Sequence, residues 1–451
     1  MFIPFAGYLG SCAASMAGYF ACQACTCVSR EVLTQSARVA WSALFFVAMV
    51  TAWILRDFAK PLLEKIPWII KDATGELDEK WFGQQAVYRV SMGSFLFFAT
   101  MSATMIGIKY KRDSRDKYLH HGNWLLKLGI WLAFTALPFL LPNNIVDAYA
   151  WAARFGSGIF LVIQMVILLD FVQSWNDSWV ASAEEDEQWY YALLGVTVAA
   201  YAGSLTVAGL MFHWFKPSGL DCSFNVLLIT LALLLCVVFS VLSLIPSVTA
   251  NRGSIFPASV ISLYCMYLCF SALQSEPKDY QCNGLAQQLT AASGTTLASG
   301  MIITLISVIY AAFRAGSNTR LFTLDGSLDG GDSAPERAAL LAEAEEGTSA
   351  GLDGIAPEAQ AINRHIELRS TMEDEFAPIT YNYSFFHLIF ALASMYIAML
   401  MTGWGSQAQD LDHIDVGWAS VLVKTGAQWV TSLLYCWTLM APALFPDRDF
   451  S

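Results

Sequence analysis

Residues 146–175 read VDAYAWAARFGSGIFLVIQMVILLDFVQSW, thirty positions dominated by apolar side chains. A soluble core helix is shorter and carries a polar stripe, and a barrel strand alternates polar and apolar residues. This stretch does neither, so it reads as a helix immersed in lipid, where a helix satisfies its own backbone hydrogen bonds. At about 1.5 Å per residue it would run to about 45 Å, against a hydrocarbon core of about 30 Å. Such a helix tilts strongly or protrudes.

The rest of the chain conforms. Of 451 residues, 56% are hydrophobic and 14% charged, where soluble domains carry about 25% charge. A soluble enzyme, a disordered chain and a fibrous repeat are excluded, and an all-α polytopic membrane protein remains. Ten candidate spans follow: Ala37 to Leu55, Ala86 to Ile108, Trp124 to Leu141, Val146 to Trp175, Trp189 to Phe212, Phe224 to Ile245, Ile255 to Leu273, Leu297 to Phe313, Tyr381 to Trp404 and Val416 to Leu439. Residues 1–36 form an apolar, Cys-rich start, residues 37–316 hold spans one to eight, residues 317–380 a linker, and residues 381–451 the last two spans and a short tail.

Charge fixes the expected sidedness. Lys109, Lys111, Arg112, Arg115 and Lys117 crowd the connection before His121, and positive loops stay cytoplasmic. Counting from there places the linker and the C-terminus in the cytoplasm, in an endomembrane or the plasma membrane. The segment from Ser317 to Phe376 carries thirteen acids against four arginines, nine of the twelve net negative charges. With its Gly, Ala, Ser and Glu content it reads as a solvated, disordered linker. The remainder is near neutral and offers no basic face to nucleic acid. The two N-x-S sequons, at Asn176 and Asn382, fall on the cytoplasmic side.

The cysteines divide by depth. Cys22, Cys25 and Cys27 sit in the uncharged stretch before Arg30, where acylation beside a membrane edge and plain helix packing are both open; no second pair of ligands stands at zinc spacing. That stretch is either a re-entrant or surface-lying helix or an eleventh span. Cys236, Cys265, Cys269 and Cys436 fall inside spans and read as packing residues. Cys222 and Cys282 alone fall in connections placed outside the cytoplasm, which makes them the candidate disulfide; two unpaired thiols are the alternative.

An ionisable residue within a span is costly enough to mark a candidate site. Lys127 and Asp170 lie at similar depth on adjacent antiparallel spans and could pair, either to pin two helices or to line a groove that headgroups or small solutes traverse. Lys424, two turns into the last span, either snorkels or faces the bundle. Arg154, His213 and His387 read as interfacial or satisfied groups. Gly156-Ser157-Gly158 and the small residues from Gly195 to Gly209 permit close helix contact. The sequence holds no nucleotide-binding, metalloprotease or hydrolase motif, so neither an enzyme nor an ATP-driven pump is expected. No metal or cofactor is called for.

Several longer stretches together carry a resemblance. Tyr381-Asn-Tyr-Ser-Phe-Phe-His387 with Leu392-Ala-Ser-Met-Tyr396 and Thr402-Gly-Trp404, His121-Gly-Asn-Trp-Leu-Leu-Lys127, Leu168-Leu-Asp-Phe-Val-Gln-Ser-Trp-Asn-Asp177, Leu263-Tyr-Cys-Met-Tyr267 with Ser275-Glu-Pro277, and Leu434-Tyr-Cys-Trp-Thr-Leu-Met-Ala-Pro442 resemble the SERINC (serine incorporator, TMS/TDE) family. The resemblance implies ten helices in two bundles joined by a long tilted helix, Val146 to Trp175, and matches Lys127 and Asp170 to the family's buried charges. It further implies lipid handling: scrambling of membrane phospholipids without ATP, or help in incorporating serine into phosphatidylserine and sphingolipids. A secondary carrier for serine or another small polar solute, and a non-catalytic scaffold whose partners are lipid-synthesis enzymes, are the alternatives.

Overall fold

The protein is an all-α polytopic membrane protein. The computed structural model describes residues 30–71, 79–245, 254–277, 279–285, 381–405 and 416–444, with the single positions 248, 310 and 379. The acylation candidates Cys22, Cys25 and Cys27, the linker apart from Ile379, and the eighth span apart from Tyr310 lie outside the described residues.

The long helices are α1 (Arg30–Phe58), α2 (Glu79–Thr104), α3 (Trp124–Ala136), α4 (Asn143–Glu185), α5 (Glu187–Phe215), α6 (Ser223–Leu244), α7 (Ile255–Gln274), α8 (Tyr383–Met401) and α9 (Trp418–Leu444). Among the described residues, six helices are long and apolar enough to cross a membrane: Ala37–Phe58 within α1, then α4, α5, α6, α7 and α8. The deciding stretch is a single helix longer than its apolar run, 43 residues in α4. At about 1.5 Å per residue that is about twice the hydrocarbon thickness, so it extends beyond the bilayer core.

The chain forms two compact units. The first comprises Met1–Ala48, Gly93–Leu137 and Ala312–Ala391; the second comprises Met49–Met92, Pro138–Ala311 and Leu392–Ser451. All of α4 belongs to the second.

In the second unit α7 is the hub, packing on α5, α6 and α9. Its apolar residues run all round it, as they do on a helix enclosed by neighbours: Phe256, Ile261, Cys265, Met266, Cys269 and Leu273 are all buried. The neighbouring α6 shows the membrane pattern in one helix. Leu227, Leu234, Val237, Val241 and Leu244 stay exposed along one face, while Ile229, Ala232, Cys236 and Phe239 turn inward. In water that outer face would be polar; an apolar one suits a helix turned toward lipid. Cys222, at the start of α6, is joined to Cys282 beyond the end of α7, with 5.8 Å between their Cα atoms.

In the first unit α2 and α3 approach closely at Gly93, where a Cβ would stand 2.5 Å from the Phe134 carbonyl oxygen and 2.6 Å from the Thr135 Cα. The glycines singled out in the sequence behave differently from one another. Gly156 meets the Met395 side chain, whereas a Cβ on Gly158, Gly195 or Gly209 would meet nothing.

Candidate functional site

The first unit buries a polar cluster at the end that carries the basic connection. Local backbone chemistry places it there. A π-helical turn, Asp116–His121, ends at Gly122, and Asn123 takes a left-handed φ of 55° before α3 begins, a conformation asparagine tolerates better than most residues. A Cβ at Gly122 would stand 2.7 Å from the Lys117 carbonyl oxygen, so this reversal needs glycine. The reversal returns α3 beside the turn it left. Lys127, one turn into α3, therefore reaches back and donates from Nζ to the His120 carbonyl at 2.8 Å.

Lys127 is 5% exposed. Its ammonium lies 4.0 Å from the ring centroid of Trp124 and 4.7 Å from that of Trp41, where the negative ring faces attract it. Among the described residues Arg115 pairs with Asp113 at 2.8 Å and His121 Nδ1 lies 3.1 Å from Asp116, and Lys127 takes part in neither contact.

His120 and His387, both fully buried, continue the cluster. His120 Nε2 is 2.6 Å from the Tyr381 hydroxyl, and His120 Nδ1 is 3.3 Å from His387 Nε2. The His120 ring stacks on Tyr383 at 3.9 Å, the Arg38 guanidinium covers Tyr381 at 3.7 Å, and Trp41 meets His387 edge-on at 4.6 Å. Burial, reinforced by His387, His121, Lys127 and Arg38, holds His120 well below the usual histidine range, so it is neutral. Two proton arrangements satisfy the chain. If the tyrosine hydroxyl donates to His120, then His120 Nδ1–H donates to His387; if it accepts, both imidazole protons reverse. In either arrangement both imidazoles stay neutral, and among the described residues His387 Nδ1 has no partner.

The second unit carries its own polar network. Arg89 of α2 is fully buried and donates to Asn143 Oδ1 at 2.7 Å, to the Gln85 carbonyl at 3.1 Å and to the Gln85 side-chain oxygen. Gln85 Nε2 donates to Asp147 at 3.2 Å, and the Tyr88 hydroxyl donates to Thr402 at 3.0 Å. Lys424 turns toward the bundle: Nζ donates to Ser275 Oγ at 2.7 Å and to the Ser271 carbonyl at 3.3 Å, at the C-terminal end of α7. Helix C-termini attract cations there. Asp170 is half-buried on α4, in the second unit, whereas Lys127 is in the first. His213 and Arg154 are exposed.

Sequence reasoning passed over Arg89, His120 and Glu276. Arg89 was detectable, since it lies inside the second candidate span. His120 sits in a connection and Glu276 just past a span, and only tertiary packing buries them. Among the described residues no group of three or more His, Cys, Asp or Glu is placed to hold a metal ion.

The family model described as Serine incorporator (Serinc) matches residues 11–448. Serine incorporator 3 of Bos taurus is 31% identical, with 98% of each chain covered. A probable serine incorporator of Nematostella vectensis is 33% identical over 98% of this chain and 99% of its own, and one of Dictyostelium discoideum 30% identical over 92% and 94%.

Proposed function

Since the chain belongs to the serine incorporator family, we propose that it handles membrane lipid by letting phospholipid headgroups cross the bilayer without ATP, on polar side chains held inside apolar helices. The observation that carries this reading is Lys127. A charged group buried in an apolar helix is costly even near the helix end, and among the described residues this one sits beside aromatic faces and a carbonyl rather than a carboxylate. Two cation–π contacts and one hydrogen bond ease that cost, but none of them supplies a counter-charge. An unneutralised ammonium in a membrane helix suits transient contact with a headgroup phosphate better than it suits stability.

The basic connection at 109–117 supports a cytoplasmic position for the Lys127 end, and the linker and C-terminus follow it to that side. The disulfide supports the opposite side for the end where α6 starts, because disulfides persist outside the reducing cytoplasm.

Reconstitution tests the reading. Purified protein in liposomes containing a fluorescent phospholipid should let a membrane-impermeant quencher bleach well beyond the outer-leaflet half, with no ATP and no solute gradient. Bleaching that stops at half, with serine uptake under a gradient, would establish the carrier instead. Bleaching that stops at half with no serine flux would leave the scaffold.

A further inference from the structure

Glu276, two residues past α7, is 1% exposed. Among the described residues its carboxylate accepts one hydrogen bond, from Asn225 Nδ2 to Oε2 at 3.2 Å, and Oε1 accepts none. Asn225, in the first turn of α6 and fully buried, donates also to the Phe215 carbonyl at 3.2 Å, and among the described residues its own Oδ1 has no partner. Two acceptor oxygens, one on each residue, are therefore buried without a donor. A buried acceptor left so is destabilising. One added proton turns a carboxylate acceptor into a donor and removes a buried charge.

The position makes that proton consequential. Glu276 joins the end of α7 to the start of α6, and its backbone carbonyl accepts from Asn283 Nδ2 at 3.0 Å. Asn283 follows Cys282, whose disulfide runs to Cys222 at the start of α6. The same segment carries Tyr280, whose ring meets Trp418 of α9 at 5.1 Å. Among the described residues, the charged or titratable groups around Glu276 are Tyr280 and Asp221 on the connections, Cys269 on α7 and Lys424 on α9. Lys424 donates to Ser275 and Ser271, and Asp221 accepts from the Ser223 hydroxyl at 2.7 Å.

We propose that the Glu276–Asn225 junction is a proton-operated latch: neutral Glu276 holds the ends of α6 and α7 shut at the disulfide-bearing end, and ionised Glu276 draws water in and loosens them. Burial pushes the Glu276 carboxyl up to about 7, the Asn225 hydrogen bond opposing it. The closed state binds the proton more tightly than the open state, so closure is complete below the ordinary carboxyl value of 4.5 and is lost as pH rises through about 7. The latch does not depend on what the protein transports. If the disulfide end faces away from the cytoplasm, it reads the pH of that compartment.

Hydrogen exchange on the full chain in detergent, wild type against Glu276→Gln at matched pH, tests it. At about pH 8, wild-type peptides covering 223–230 and 276–285 should exchange at least about tenfold faster than in Glu276→Gln, and at about pH 5 the two should coincide. Equal exchange at both values, or a gap that does not change with pH, overturns the latch. Should Glu276→Gln fail to fold, the wild type alone serves: exchange of these two segments should rise through about pH 7 beyond the intrinsic chemical rate while helix segments away from the junction do not, and a parallel rise in all segments overturns it.

Discussion

Arg89 and Asn143 meet across 2.7 Å with both side chains buried, so a guanidinium on α2 is held by an amide at the very start of α4. Asn143 in turn donates to the Ile69 carbonyl at 2.8 Å. Removing the arginine leaves two buried amide oxygens without their donor, and hydrogen bonds to charged groups are worth about 1.5–3 kcal/mol each. Arg89→Ala should therefore cost about 3 kcal/mol. In a double-mutant cycle with Asn143→Ala the two losses should fall short of additive by about 1–3 kcal/mol. Thermal unfolding in detergent measures both, and additive losses would show that the contact carries no energy.

Gly93 supplies a packing test. Alanine there would drive a Cβ into the backbone of Phe134 and Thr135, which cannot swing aside as a side chain can. Gly93→Ala should cost about 1–3 kcal/mol. Gly129→Ala, whose Cβ meets nothing within 4 Å, should be neutral or gain up to about 1 kcal/mol through helix propensity. Equal effects of the two substitutions on melting temperature would contradict the close α2–α3 approach.

How much of this was legible in the sequence depends on what each residue needed to be read. Apolar length alone locates α4, α5, α6 and α7, because lipid imposes the same requirement on every residue of a span. Cys222 and Cys282 are found by elimination, since the other cysteines lie in spans or before them. The polar cluster was legible only in part. Lys127 betrays itself as a charge in an apolar run, but His120 is buried by a reversal at Gly122 and Asn123 that brings Tyr381, far along the chain, against it. Small residues were a poor guide too: Gly195 and Gly209 look like Gly93 on paper, and only the crossing neighbour distinguishes them.

The disulfide closes a separation of 60 residues. In the chain-entropy view a loop of that size is worth roughly 4 kcal/mol. Cys222→Ser with Cys282→Ser should lower thermal stability by that order, and reductant should then have no further effect. Undiminished stability in the double serine variant would contradict this, as would full alkylation of Cys222 in the unreduced wild type.

His120 and Glu276 should give opposite pH slopes. His120 is kept neutral by burial and by the cations around it. Its contribution is complete above the ordinary histidine value of about 6.5 and is lost as pH falls below it, where the unfolded chain takes up a proton that the folded chain refuses. His120→Gln should flatten the acid side of a stability-against-pH curve, whereas Glu276→Gln should flatten the neutral-to-alkaline side. An acid limb that survives in His120→Gln would assign the acid sensitivity to other groups.

The most direct measurement is the phospholipid scrambling rate of Lys127→Met beside wild type, in liposomes at matched protein density. Methionine keeps the length and apolar bulk of the side chain and removes only the ammonium, so a folded, monodisperse variant isolates the charge. Wild type should equilibrate labelled phospholipid between leaflets without ATP, and Lys127→Met should slow this at least about tenfold, equivalent to about 1.4 kcal/mol on the barrier. A well-folded Lys127→Met that scrambles at the wild-type rate would contradict it.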